Sequence, residues 1–242
     1  GVTVEKKQIE FKYKNYKFLV TDLPGSYSLN DYTLEEKVTK EYLENENYDI
    51  ILNVVDSTNL ERNLYLTSEL LALDKKMVVA LNMSDEARKE GIEINDVLFA
   101  KLIGKPCVKT SAKEQTGIKA LINTLVTKFE SPKFESKLIY SDPIEEEIFN
   151  ITTLLKDKNY KSDVDYREIS IKLLQEDKRI YKKMHDDPIW IELQPILTHS
   201  LNHIYIHYDT KDLDDIFSDE KNAFAKGIVT ETVITKEVKI SD

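Results

Sequence analysis

The sequence predicts an α/β fold, a doubly wound and mostly parallel sheet, followed by an all-α helical part. Three observations predict it. Short apolar runs alternate with helical patterns in the first half, comparable strand runs stop at Pro132, and after Gly117 no glycine occurs until Gly227. Strands alternating with helices build a parallel sheet covered on both faces. The change in punctuation marks a boundary, so residues 1–132 are expected to form one domain and 133–242 a helical domain with a C-terminal link.

Residues 2–13 alternate, with Ile9, Phe11 and Tyr13 set against Glu10, Lys12 and Lys14, and after a Lys14-Asn15 turn a second strand runs from Lys17 to Asp22. This is a hairpin. Tyr48–Asp56, Lys76–Asn82 and Pro106–Thr110 are short apolar runs, of the type buried on both faces of a parallel sheet. Helical patterns fall between and after them at 31–45, 60–73, 84–103 (broken at Gly91) and 117–130. Asp142-Pro143 and Asp187-Pro188 read as helix starts, with acids against the dipole and proline in the first turn. Stripes at helical spacing follow: Ile144, Ile148, Ile151 and Leu155; Ile169, Leu173 and Leu174; Ile191, Ile196, Leu197 and Leu201.

Composition bounds the function. Forty-four acids against thirty-four bases over 242 residues leave a net charge of −10, which argues against a nucleic-acid footprint. With 41% hydrophobic and 32% charged residues the chain can bury a core. The run Met77–Leu81 is far shorter than a membrane helix, and no signal peptide is read at the start, so a soluble piece is expected. The single cysteine, Cys107, excludes internal disulfides and cysteine-cluster metal sites; in its strand run it reads as a small buried hydrophobe.

Three short motifs each end a predicted strand. Asp22-Leu23-Pro24-Gly25 follows the hairpin: a carboxylate there can hold a Mg²⁺-bound water, and the glycine lets a backbone N–H approach a γ-phosphate. Asn82-Met83-Ser84-Asp85 follows the next buried run, where an aspartate can accept from N1–H and the 2-amino group of guanine, a pair adenine does not offer. Asn82 can donate to the base and brace neighbouring loops. Thr110-Ser111-Ala112-Lys113 ends a third run, placing the Ala112 N–H to meet the guanine O6. In isolation a strand-ending aspartate with a proline-glycine turn explains the first better, and a helix cap explains the second equally well. Their shared place at successive strand ends of one sheet, where such folds bind ligands, is the stronger signal.

Together these residues resemble the translation-factor-class GTPases. Gly1–Lys6, Asp22–Leu29, Val55–Leu66 and Ala80–Glu86 resemble more narrowly the cytoplasmic GTPase region of the ferrous-iron transport protein B family. The resemblance implies a P-loop GTPase-like domain followed by a helical domain, at the cytoplasmic face of the inner membrane. It implies GTP hydrolysis that couples to or regulates Fe²⁺ uptake, with a membrane permease domain of the same polypeptide as partner. GTP/GDP and Mg²⁺ are the implied cofactors, with K⁺ assisting at the phosphates. Thr3 and Asp22 are then the metal residues, Asp22 and Gly25 open switch II, and Asn82, Asp85, Ser111 and Ala112 make the guanine pocket, covered by Met83 and the stem of Lys113.

Departures from the broad pattern are informative. Met83 stands where lysine is commoner, and an apolar thioether can cover a base face without the charge. Ser26 follows the switch II glycine where many signalling GTPases carry glutamine, and no catalytic residue is assigned. No G-x-x-x-x-G-K-[ST] occurs, so an upstream strand and phosphate loop are expected outside this sequence. A soluble ribosome- or tRNA-associated GTPase and a non-hydrolysing interaction module stay open as readings, as does a homo-oligomer. His199, His203 and His207 lie four apart on a predicted helix. A helix turns about 100° per residue, so the third drifts from the first and a joint iron site is not expected.

Overall fold

The computed structural model describes residues 7–29, 33–73, 75–132 and 138–236. Thr3 lies outside the described residues. Chain contacts divide the protein into two units, the second being Leu138–Phe224, while the residues from Ala225 onward group with the first.

In the first unit β1 (Lys7–Tyr13) and β2 (Tyr16–Asp22) form the expected hairpin, with Lys14 in the left-handed region at the turn. Stacked Phe11 and Phe18 rings, 4.8 Å apart, pair across it. Helix α1 (Leu34–Asn45) starts at a capping box in which Thr33 accepts from the Glu36 N–H and Glu36 reaches back to Thr33. Then come β3 (Ile51–Asp56), α2 (Leu60–Leu71) and β4 (Met77–Asn82). They are followed by α3 (Ser84–Lys89), β5 (Ile92–Ile94), α4 (Asp96–Ile103), β6 (Cys107–Lys109) and α5 (Ile118–Glu130). Strands β3, β4 and β6 make a parallel sheet in that order. Its centre, β4, is buried on both faces, and Val78 and Ala80 pack on Leu121 and Leu125 of α5.

Two expectations are corrected here. The helical pattern over 84–103, expected to break at Gly91, is α3 and α4 with a strand, β5, in the break, because Gly91 turns the chain at φ 75° and Ile92-Glu93-Ile94 then alternates. Double-sided burial holds for β4 alone; in β3 every second residue faces out, and Val54 is 56% exposed.

The second unit is helical. It contains α6 (Asp142–Asp157), α7 (Tyr166–Leu174), α8 (Lys178–His185), α9 (Trp190–Tyr208) and the start of α10 (Leu213–Thr232). The α6 and α7 stripes are core, with Ile144, Ile151, Leu155 and Leu173 fully buried. The α9 stripe is Leu193, Leu197, Leu201 and Ile204, whereas Ile191 is 80% exposed. That helix begins only at Trp190, since Asp187 accepts from the Ile189 N–H and holds Pro188 in the turn before it. Helix α6 starts at Asp142-Pro143 as expected, with Ser141 as the residue before it. A short strand absent from the sequence reading, β7 (Val233–Thr235), follows α10 and pairs with β5 inside the first unit.

No described helix is long and apolar enough to cross a membrane.

Candidate functional site

The C-terminal ends of β3, β4 and β6 are stitched together by the residues between Asn82 and Ala112. The Asn82 Oδ1 accepts from the Thr110 hydroxyl at 3.2 Å and from the Ala112 N–H at 3.2 Å. The Ser84 N–H donates to the Thr110 carbonyl at 3.1 Å, and the Ser57 N–H to the Asn82 carbonyl at 2.9 Å. Met83 makes the turn from strand to helix in the left-handed region at φ 58°. A residue other than glycine there carries backbone strain, which persists only where its surroundings hold it.

Asp85 follows in the first turn of α3 and is 3% exposed. The Ser111 hydroxyl hydrogen-bonds to it, and that bond, against the opposing push of burial, holds its carboxyl below the usual range. Backbone bonds and the Lys89 charge help. Asp85 is therefore an ionised carboxylate at neutral pH, inside the protein. Its Oδ2 is buried with no hydrogen-bond partner, and the Lys89 Nζ stands off at 3.9 Å. A carboxylate oxygen without a partner is costly to bury, so Asp85 keeps an unmet capacity to accept a hydrogen bond.

Ser111 is itself fixed by accepting from the Glu114 N–H at 3.0 Å, and its backbone pairs with Thr116 in both directions. Gly117 takes φ 76° immediately after, where a Cβ would stand 2.1 Å from the Lys109 carbonyl oxygen. Lys113 reaches across to Glu86 at 2.8 Å, and Glu86 also holds Lys89 at 3.2 Å. The Lys113 and Lys89 cations hold Glu86 below the usual carboxylate range, and Glu86 in turn raises Lys113.

The structure thus brings Asn82, Met83, Ser84 and Asp85 against Ser111, Ala112 and Lys113. Thr110, which opens the third motif, belongs to the same constellation, as do Glu86 and Gly117, which sequence reading did not assign to the site. Glycine after the loop was the one available signal; nothing in the pattern marked Glu86 as Lys113's partner. One detail differs from expectation: the Ala112 N–H, expected to face a base oxygen, donates to Asn82.

Asp22, Leu23, Pro24 and Gly25 lie on another segment, leaving the end of β2. The Pro24 carbonyl accepts from Thr39 at 3.1 Å, Ser28 donates to Glu36 at 2.8 Å, and the Leu29 N–H donates to the buried Glu69 at 2.6 Å. The Arg62 guanidinium covers the Tyr27 ring at 3.6 Å. A Cβ on Gly25 would meet nothing within 4 Å, and its φ is not positive, so the surrounding chain does not require glycine there. Asp22 is exposed, an oxygen donor of the kind Mg²⁺ takes with several waters. Among the described residues no three histidine, cysteine or acidic side chains are grouped to hold a metal. His203 Nδ1 instead meets the buried Glu147 at 2.6 Å, and His207 packs on Tyr208.

Family models match both parts of the chain. Residues 1–125 match the family model described as Ferrous iron transport protein B, and residues 140–234 match that of the FeoB cytosolic helical domain. The Fe(2+) transporter FeoB of Campylobacter jejuni is 39% identical over 216 residues, covering 86% of this chain and 35% of the relative. The chain therefore spans about a third of that relative's length. Among solved structures, a GDP-bound mutant of the S. thermophilus FeoB G-domain superposes with a TM-score of 0.80 at 32% identity, covering 97% of this chain and 88% of that one. The cytosolic domain of the T. maritima FeoB iron transporter in its GMPPNP form gives 0.76 at 28% identity, covering 97% and 87%. With a P-loop GTPase-like sheet, a helical second part and a family match over both, this chain belongs to the ferrous iron transport protein B family.

Proposed function

We propose that this chain binds guanine nucleotide at the Asn82–Asp85 and Ser111–Lys113 segments and hydrolyses GTP. We propose further that its nucleotide state couples to or regulates Fe²⁺ uptake by a permease domain of the same polypeptide, from the cytoplasmic face of the membrane. The observation that carries the reading is Asp85: buried, ionised, braced by Ser111 and left with one unpartnered oxygen. Guanine offers two adjacent donors to such a group, whereas adenine would leave it unpaired, a difference large enough to select between them. The Ala112 N–H can be shared between Asn82 and the base oxygen, and Met83 with the Lys113 stem can cover the ring faces.

At the phosphate end, the open space at Gly25 leaves room for a γ-phosphate to reach its N–H. Asp22 would hold a Mg²⁺-bound water, with Thr3 as the direct ligand that the family resemblance implies; the ion supplies charge neutralisation at the phosphates. Ser26 is too short to orient water as glutamine does. Backbone donors of the switch would then carry transition-state stabilisation, and K⁺, which the family resemblance implies, would supply further positive charge.

The test uses the full-length protein in proteoliposomes. Fe²⁺ uptake should require GTP in the wild type, and xanthosine triphosphate instead in Asp85→Asn. Uptake indifferent to nucleotide would contradict the coupling.

A further inference from the structure

Strand β5 is three residues long, yet it is the continuation of α3, the helix that carries Asp85. Its partner is β7, the strand that follows α10, with Ile92 opposite Thr235, Glu93 opposite Ile234 and Ile94 opposite Val233. Backbone bonds extend the ladder at both ends: Asn95 N–H to the Thr232 carbonyl and Lys236 N–H to the Gly91 carbonyl, each at 2.8 Å. In an antiparallel pair such bonds recur at every second residue, which makes Glu93 and Ile234 the bonded pair between them. Ile94 is 4% exposed and sets the register from inside. Lys236 and Glu93 close the ladder with an ion pair.

The ladder holds the end of α3 opposite the Ser111 and Lys113 contacts. At six residues the helix has no independent helical stability. One flank faces a cleft of about 490 Å³ lined by Ser84, Ala87, Arg88, Gly117 and Lys236, so packing does not pin it there. Its first turn is held by the Thr110 bond to Ser84, by Ser111 on Asp85 and by the Lys113–Glu86 ion pair, and its far end by the chain entering β5.

We infer that the β5–β7 ladder is a positioning device for Asp85, so that displacement of the segment after Thr232 is read as a change in guanine-nucleotide affinity. This rests on the proposed base site. The connection is covalent from Asp85 to β5 and hydrogen-bonded from β5 to β7, without passing through the Asp22–Leu29 segment. Disturbing it therefore alters nucleotide release and leaves phosphate chemistry alone. The coupling is reciprocal: nucleotide binding strengthens the ladder by the factor with which the ladder strengthens nucleotide binding.

The experiment measures release of a fluorescent N-methylanthraniloyl-GDP from the full-length protein by stopped flow, beside GTP turnover at saturating substrate. Ile234→Pro removes the central ladder bond. It should speed release about two- to ten-fold, the worth of one net backbone hydrogen bond, with turnover within about twofold of wild type. Should Ile234→Pro fail to fold, Glu93→Lys and Lys236→Glu give a second reading: each speeds release, and the double exchange restores it. Asp85→Asn is the control for the base site. Unchanged release in the ladder variants, in a protein where Asp85→Asn abolishes GDP binding, overturns the inference and leaves the base site standing. GDP binding indifferent to Asp85→Asn overturns the base site and the inference together.

Discussion

Asn82→Ala isolates the brace that joins the two segments proposed to bind the base. The side chain accepts two hydrogen bonds, from the buried Thr110 hydroxyl and from the exposed Ala112 N–H. A net hydrogen bond contributes about 0.5–1.5 kcal/mol, and the cost is larger where the orphaned group stays buried. Water can replace the partner of Ala112 but not readily that of Thr110. The loss is therefore about 1–2 kcal/mol, most of it from the Thr110 side. If the bound state needs both segments in register, GDP affinity falls about 5- to 30-fold. Fluorescence titration of GDP reads this, with a thermal melt to confirm a folded protein; a chain of this size should lose about 2–8 °C. Affinity within twofold of wild type in a folded Asn82→Ala protein would refute the brace.

Two glycines should behave oppositely. Gly117→Ala forces a Cβ against the Lys109 carbonyl oxygen at a positive φ, so it should destabilise by more than about 2 kcal/mol and visibly lower the melting temperature. Gly25→Ala meets open space, so the melting temperature should hold within a degree or two while GTP turnover falls; an equal loss of stability would remove the γ-phosphate role. In the second unit, burial raises the Glu147 carboxyl, but hydrogen bonds from neighbours including His203 and Asn150 outweigh it and hold it below the usual range. A depressed acid contributes stability that is full above its unfolded value, about 4.3, and is lost as pH falls through its folded value. Circular dichroism should show acid unfolding steepen below about pH 4.3, with a shallower limb in Glu147→Gln.

Much of the fold was legible because its signals are local. The Lys14-Asn15 turn between alternating runs, the apolar Met77–Leu81 run and the helix stripes of α6 and α7 each follow from neighbours in sequence. Strands β5 and β7 were hidden because three residues are too few for a period, and each is stabilised by the other across more than a hundred residues of chain. In retrospect Gly91 and the β-branched run Thr232–Thr235 were the traces. Exposure of Val54 depends on what lies beside β3, which its own residues do not state. At the site, Asn82, Asp85 and Ser111 were readable as types the chemistry needs. Glu86 was not, since its pairing with Lys113 arises from two segments meeting in space.

The central claim is that Asp85 selects guanine, and direct titration of wild type and Asp85→Asn with GTP and xanthosine triphosphate tests it most directly. The wild type should prefer GTP. In the variant the amide donates where the carboxylate accepted, so GTP should weaken by at least about a hundredfold and the xanthine nucleotide should become the better ligand. GTP bound equally well by both proteins would place the base elsewhere.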